Sequence, residues 1–173
     1  MLVLFYACDE GGLTIEVPAT GSFDFAISSV EANASPSNKF TNQSSIDPTA
    51  FVNESSESIK SISLTKFTYN TTGYKGTAPV QMNLSLSTQL DGATNEVFSV
   101  SGVTLANGLV GAFERGNPTS MLSAAQVASL EAIIDNQTPF ELIVTAGFDG
   151  NIESDFNLQV VWDLLASVAQ PTE

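Results

Sequence analysis

The stretch Phe140-Glu141-Leu142-Ile143-Val144-Thr145-Ala146-Gly147-Phe148, then Asp149-Gly150-Asn151, then Phe156-Asn157-Leu158-Gln159-Val160-Val161-Trp162-Asp163-Leu164, decides the fold class. Phe140, Leu142, Val144, Ala146 and Phe148 share one parity, as do Phe156, Leu158, Val160, Trp162 and Leu164. A strand turns successive side chains to opposite faces, so each run builds one apolar face. Asp-Gly between two alternating runs is a hairpin signal, because Gly accepts the positive φ of a tight turn. The expectation is an antiparallel β-hairpin that carries Trp162, the only tryptophan, into a core.

Upstream of this stretch lies the one clear helix signal, over Ala124–Asp135. Ser123 and Gln126 have the spacing of a capping box. Val127, Leu130 and Ile134 form one stripe with Ile133 beside it, and Asn136 and Pro139 supply the stop. One amphipathic helix needs an apolar surface to cover, and an open edge of a sheet is the natural place.

The rest of the chain speaks mostly in strands. Leu13, Ile15 and Val17 alternate and stop at Pro18, and Gly21 opens a second strand with Phe23, Phe25 and Ile27 on one face. In Ile59–Tyr69 the apolar parity changes between Leu64 and Phe67, which predicts a β-bulge near Lys66. Val80, Met82, Leu84, Leu86 and Leu90 alternate with polar residues, and Asp91-Gly92 turns the chain back into Val97–Leu105, with a phase shift near Gly102. Asn107-Gly108 is a further two-residue turn signal, leading into Leu109–Phe113. The segment Asn33–Ser58 is rich in Ser, Asn, Thr and Glu. It reads as a long loop or strap, with a short helix near 48–53 started by Asp47-Pro48. Long loops on β-scaffolds often carry binding, so Phe40 and Phe51, with Tyr74 in the next loop, are the binding-loop candidates. Together these signals predict a mostly antiparallel β-sandwich of about eight strands, in one domain over 13–173.

Charge narrows the function classes. There are 19 acidic residues against 5 basic ones, a net charge of −14. Nucleic-acid binding needs clustered cations and is excluded on that ground. Histidine is absent, which removes Ser-His-Asp triads, Cys-His dyads and imidazole metal ligands. Cys8 is the only cysteine, so no disulfide forms within the chain.

The N-terminus reads Met1-Leu2-Val3-Leu4-Phe5-Tyr6-Ala7-Cys8-Asp9-Glu10-Gly11-Gly12. An apolar run ending in small-Cys, followed by acidic residues and glycines, resembles the lipobox of bacterial lipoproteins of the Bacteroidetes type. The resemblance covers about ten residues and departs from the usual pattern in its missing Lys/Arg segment and its short apolar run. A start codon upstream of Met1 would supply both. The resemblance implies that 1–7 are the end of a signal peptide, that Cys8 carries the lipid and that 8–12 form a flexible linker. It implies an outer-membrane lipoprotein at the periplasmic face or the cell surface, and a membrane partner met through the anchor.

Motifs for chemistry are weak. Ser63-Leu64-Thr65-Lys66 matches a Ser-x-x-Lys pattern, but it lies in strand language and lacks its partner motifs. Asp149, Asn151, Glu153 and Asp155 alternate as oxygen ligands do in Ca²⁺ loops, without the EF-hand Gly and Glu at their positions. They are kept as a weak Ca²⁺ candidate; no other cofactor and no catalytic residue is expected. The sequence therefore predicts a non-catalytic, lipid-anchored binding or structural module with a protein or glycan partner. The alternatives are a carboxylate-dependent glycan hydrolase and a self-assembling, pilin-like surface subunit.

Overall fold

A computed structural model of the protein describes residues 8–9, 12–51 and 59–169. The elements are β1 (Cys8–Asp9), β2 (Gly12–Ile27), α1 (Ser29–Ala34), β3 (Lys39–Ile46), a 3-10 turn (Pro48–Phe51), β4 (Ile59–Thr72), β5 (Gln81–Leu90), β6 (Ala93–Thr104), β7 (Gly108–Glu114), α2 (Ala124–Asp135), β8 (Phe140–Phe148) and β9 (Phe156–Ala169). They form a β-sandwich. One sheet has the order β1-β2-β9-β4-β7 and the other β3-β8-β5-β6. Every paired neighbour is antiparallel. Eight strands carry the fold, and β1 is a two-residue addition at one edge.

The predicted hairpin at Asp149-Gly150 does not form. β8 lies in the four-stranded sheet and β9 in the five-stranded one, so residues 149–155 arch from one layer to the other. Parity explains this. A two-residue turn would pair Phe148 with Asn151 and set the even-numbered apolar face of β8 beside the odd-numbered polar face of the next strand. In the arch both even faces look inward. Trp162 is fully buried, packed edge-on to Phe23 at 5.1 Å and stacked on Phe140 of the opposite sheet at 6.2 Å. The same correction applies at Asn107-Gly108, which joins β6 to β7 in the opposite sheet. Only Asp91-Gly92 is a true tight turn: Leu90 pairs with Ala93, and both turn residues have positive φ, 50° and 79°.

Two further expectations are corrected. β2 does not stop at Pro18 but runs through it, with Pro18 opposite Leu165. Beyond Leu13 its outer side pairs with no described strand, and an edge tolerates a residue that has no N–H. The segment read as a loop from Asn33 contains β3, which pairs with β8 from Lys39↔Gly147 to Ile46↔Phe140. Only Phe40 and Ile46 of β3 are buried, because Asn42 and Ser44 occupy the intervening positions of that parity. The short helix near 48–53 is a 3-10 turn over Pro48–Phe51, capped by Asp47 Oδ1, which accepts from the Thr49 N–H at 3.0 Å. The remainder of that helix, at 52–53, lies outside the described residues.

The bulge signals hold. The β4 register against β9 shifts between Leu64 and Lys66, so Ile62 and Leu64 and then Phe67 and Tyr69 all reach the core. On β6, Met82↔Val103 and Leu84↔Val100 leave one extra residue beside Gly102, whose φ is 68°. The α2 helix spans the predicted residues and has its capping box.

The helix protects an edge in detail. β7 pairs with β4 from Lys66 onward, and the Arg115 N–H reaches the Thr65 carbonyl at 2.8 Å, leaving Ile59–Leu64 without a strand on that side. Asp135 Oδ1 accepts the Ile62 N–H at 2.8 Å and Glu131 Oε1 the Leu64 N–H at 3.0 Å. Arg115 donates to the Leu64 carbonyl, at 2.8 Å from Nη2, and pairs with Glu131. Gln137 Nε2 donates to the Ile59 carbonyl at 3.3 Å. Side chains thus stand in for a missing strand.

Candidate functional site

The arch 149–155 is tied to the segments around it. Asp149 Oδ1 accepts the Gln81 N–H at 2.7 Å. Ile152 and Asn33 exchange two bonds, each 2.9 Å. Glu153 Oε2 accepts from the Thr77 N–H at 2.5 Å, and Ser154 Oγ from the Lys75 N–H at 2.8 Å. Asp155 Oδ1 accepts both the Ser29 hydroxyl and the Ser29 N–H at 2.7 Å, at the start of α1. These two donors, the hydroxyl first, hold the Asp155 carboxyl below the usual aspartate range.

The alternation of Asp149, Asn151, Glu153 and Asp155 therefore does not build one ligand set. Alternate residues share a face only in a strand, and this segment is an irregular crossover. Three of the four carboxylate or amide groups reach three different backbone segments, and Asn151 is exposed. Among the described residues, no three Asp, Glu or Cys side chains are grouped to hold a metal ion.

The binding-loop candidates also lie elsewhere than expected. Phe40 is an inward residue of β3, and Tyr74 is buried edge-on to Phe156 at 5.9 Å. Tyr74 folds back over Gly76, and its backbone is clasped by Asn107 through bonds of 2.9 and 2.8 Å. The Phe51 side chain lies outside the described residues. In the Ser63–Lys66 motif the Ser63 and Thr65 hydroxyls donate to carbonyls of β9, those of Leu165 and Asp163.

Beside a cleft of about 390 Å³ at the end of β2, lined by Ile27, Ser28, Thr72, Lys75 and Asp155, two further concave surfaces stand out. One, of about 410 Å³, lies beside α2 and includes Phe113, Asn117, Leu122, Val127, Arg115 and Glu131. Its charged pair is already engaged in capping β4. The other, of about 620 Å³, crosses the outer face of the four-stranded sheet. Its floor is made of short residues, Ser85 and Ser87 on β5 and Thr145 and Gly147 on β8, and a Cβ added at Gly147 would meet nothing within 4 Å. Lys39 of β3 stands at one rim and Glu96 of β6 at the other.

The groove has a fixed acceptor. The Ser85 and Ser99 hydroxyls donate to the two oxygens of Glu96, each at 2.9 Å. Asn83 Oδ1 accepts the Gly102 N–H at 2.9 Å, and Asn83 also lines the groove. Lys39, Ser87 and Ser101 bond no other described side chain, so their donors and acceptors face solvent. The sequence shows the polar parity of Asn83, Ser85 and Ser87. Their meeting with Glu96 and Lys39 depends on strand order and was not legible.

No protein-family model matches the chain, and no curated protein matches it.

Proposed function

We propose that the protein is a non-catalytic binding module, tethered by a lipid on Cys8 to the outer membrane of a Gram-negative bacterium, at its periplasmic face or on the cell surface. The groove on the four-stranded sheet carries the binding part of this reading. It is concave and polar, and several of its groups lack protein partners, whereas the acids of the arch and of α2 are engaged with backbone N–H groups.

Register supports the tether. Cys8 pairs with Leu13 at the start of β2, where Thr14 lies opposite Ala169. That is the end of the sandwich away from the arch, whose neighbours are Ile27, Phe148 and Phe156. A lipid on Cys8 would leave from the edge of the five-stranded sheet, whereas the groove lies on the four-stranded one. Among the described residues no helix is long and apolar enough to span a bilayer, and in this reading attachment falls to the lipid. One acyl chain holds only marginally, so a stable anchor takes two or three.

The test is mass spectrometry of the protein from its native envelope. A diacylglyceryl group on Cys8, with loss of membrane association in Cys8→Ala, supports the tether. An unmodified Cys8 thiol in the native protein removes it.

A further inference from the structure

We propose that the groove across the outer face of the four-stranded sheet binds a neutral oligosaccharide. This deepens the binding-module reading and rests on it. This groove has polar groups still open to a ligand, whereas the cleft beside α2 has its Arg115–Glu131 pair engaged with the edge of β4 and the cleft at the end of β2 has Asp155 engaged by Ser29.

Charge selects the ligand class. The whole chain carries −14, which repels polyanions. Within the groove Lys39 is the one cation and Glu96 the one carboxylate, so the lining carries no net charge that would select an ionic ligand. Hydroxyl chemistry narrows it further. Each sugar hydroxyl both donates and accepts, and the groove offers matching groups of both kinds. Glu96 is an acceptor fixed by two serine hydroxyls, so little side-chain freedom is lost when it takes a ligand hydroxyl. Lys39 and the Asn83 amide nitrogen donate, and the Ser87 and Ser101 hydroxyls do either.

Shape agrees. The groove crosses the sheet from β3 to β6, about 14 Å at the usual strand separation, and Glu96, level with Ser87, is offset along the strands from Lys39, level with Asn83. The volume of about 620 Å³ lies within the range of small-ligand sites. Gly147 keeps the floor low, since any side chain there would rise into open space. The lining contains no aromatic ring, so stacking adds nothing and the affinity is weak, on the order of millimolar.

The experiment is a ¹H–¹⁵N NMR titration of the soluble domain with separate neutral hexasaccharides of glucose, mannose, galactose and N-acetylglucosamine. The expected result is saturable shifts in the amides of Asn83, Ser87, Glu96, Ser101 and Thr145 with at least one of them. Glu96→Gln should weaken binding about tenfold, the loss of one charge-assisted bond. Gly147→Val should abolish binding while leaving the spectrum of a folded protein, because its side chain fills the floor without a clash. Shifts confined to the cleft beside α2 would overturn the groove assignment and leave the module reading standing. Shifts with none of the four sugars would overturn the ligand class. Binding to an envelope protein, together with silence toward every sugar, would do the same while supporting the module reading.

Discussion

Replacing the carboxylates that α2 lends to β4 should cost stability in a calculable way. Asp135 and Glu131 each accept one N–H from the open side of β4, at 2.8 and 3.0 Å, in part-buried surroundings. A hydrogen bond to a charged group contributes about 1.5–3 kcal/mol net, and partial solvation puts these near the low end. Glu131 also pairs with Arg115, whose side chain is 52% exposed, so that pair adds under about 1 kcal/mol. Asp135 sits in the last turn of α2, where the helix dipole opposes a negative charge by about 0.5 kcal/mol. Glu131→Ala should therefore cost about 2 kcal/mol and Asp135→Ala about 1 kcal/mol. The double variant should lose about 3 kcal/mol, a large part of the roughly 5–15 kcal/mol that holds a domain folded. Urea unfolding would read this as a lower midpoint at unchanged slope. Glu16→Ala, exposed on β2, serves as the control and should stay within about 0.5 kcal/mol. A double-variant loss below about 0.5 kcal/mol would refute the edge-capping role, since water would then be serving those N–H groups equally well.

Other outcomes follow from single groups. Tyr69 is buried beside Phe98, and its hydroxyl has no partner. Tyr69→Phe should stabilise by about 1 kcal/mol in thermal or urea unfolding. Burial raises the Tyr69 pKa, so its contribution is intact below the ordinary value of 10.0 and is lost as pH rises above it; Tyr69→Phe should flatten that alkaline limb. The Asp155 carboxyl is held low by Ser29, so its contribution is present above 3.8 and is lost as pH falls through the lowered value. Asp155→Asn should remove that contribution, so stability falls at neutral pH, the acid limb flattens, and stability below the lowered value stays almost unchanged. A Cβ at Gly76 would lie 2.1 Å from the Tyr74 hydroxyl oxygen, so Gly76→Ala should cost about 1–3 kcal/mol, read as a lower unfolding midpoint.

Much of the fold was legible in the residues, and the errors have physical causes. Alternation and bulge signals are local, and they placed β4, β5, β8 and the first part of β9 correctly, as the helical stripe and caps placed α2; β9 runs on to Ala169, past the Leu164 that closes its predicted run. Turn dipeptides mislead where parity contradicts them: Asp149-Gly150 carries a tight-turn signature, yet the even parity on both sides excludes a two-residue turn. Gly150 also lacks the positive φ that Gly92 adopts at the genuine turn. Pro18 and Gly21 read as punctuation, although Ile15, Val17, Ala19, Phe23, Phe25 and Ile27 keep a single parity through both. β3 stayed hidden because Asn42 and Ser44 interrupt its apolar face. The candidate site was less legible still. The groove joins residues of four strands, and no spacing in the chain announces that Lys39, Ser87, Glu96 and Thr145 share one face. The acids of the arch show the reverse: regular in sequence, they diverge in space because the backbone there is not a strand.

The placement of arch and groove depends on β8 and β9 belonging to opposite sheets. Backbone nuclear Overhauser contacts test that directly. The expected ladder joins Thr145 to Ser85 and Val160 to Phe23, with no ladder between 140–148 and 156–164. A ladder joining those two segments about Asp149-Gly150 would contradict the account.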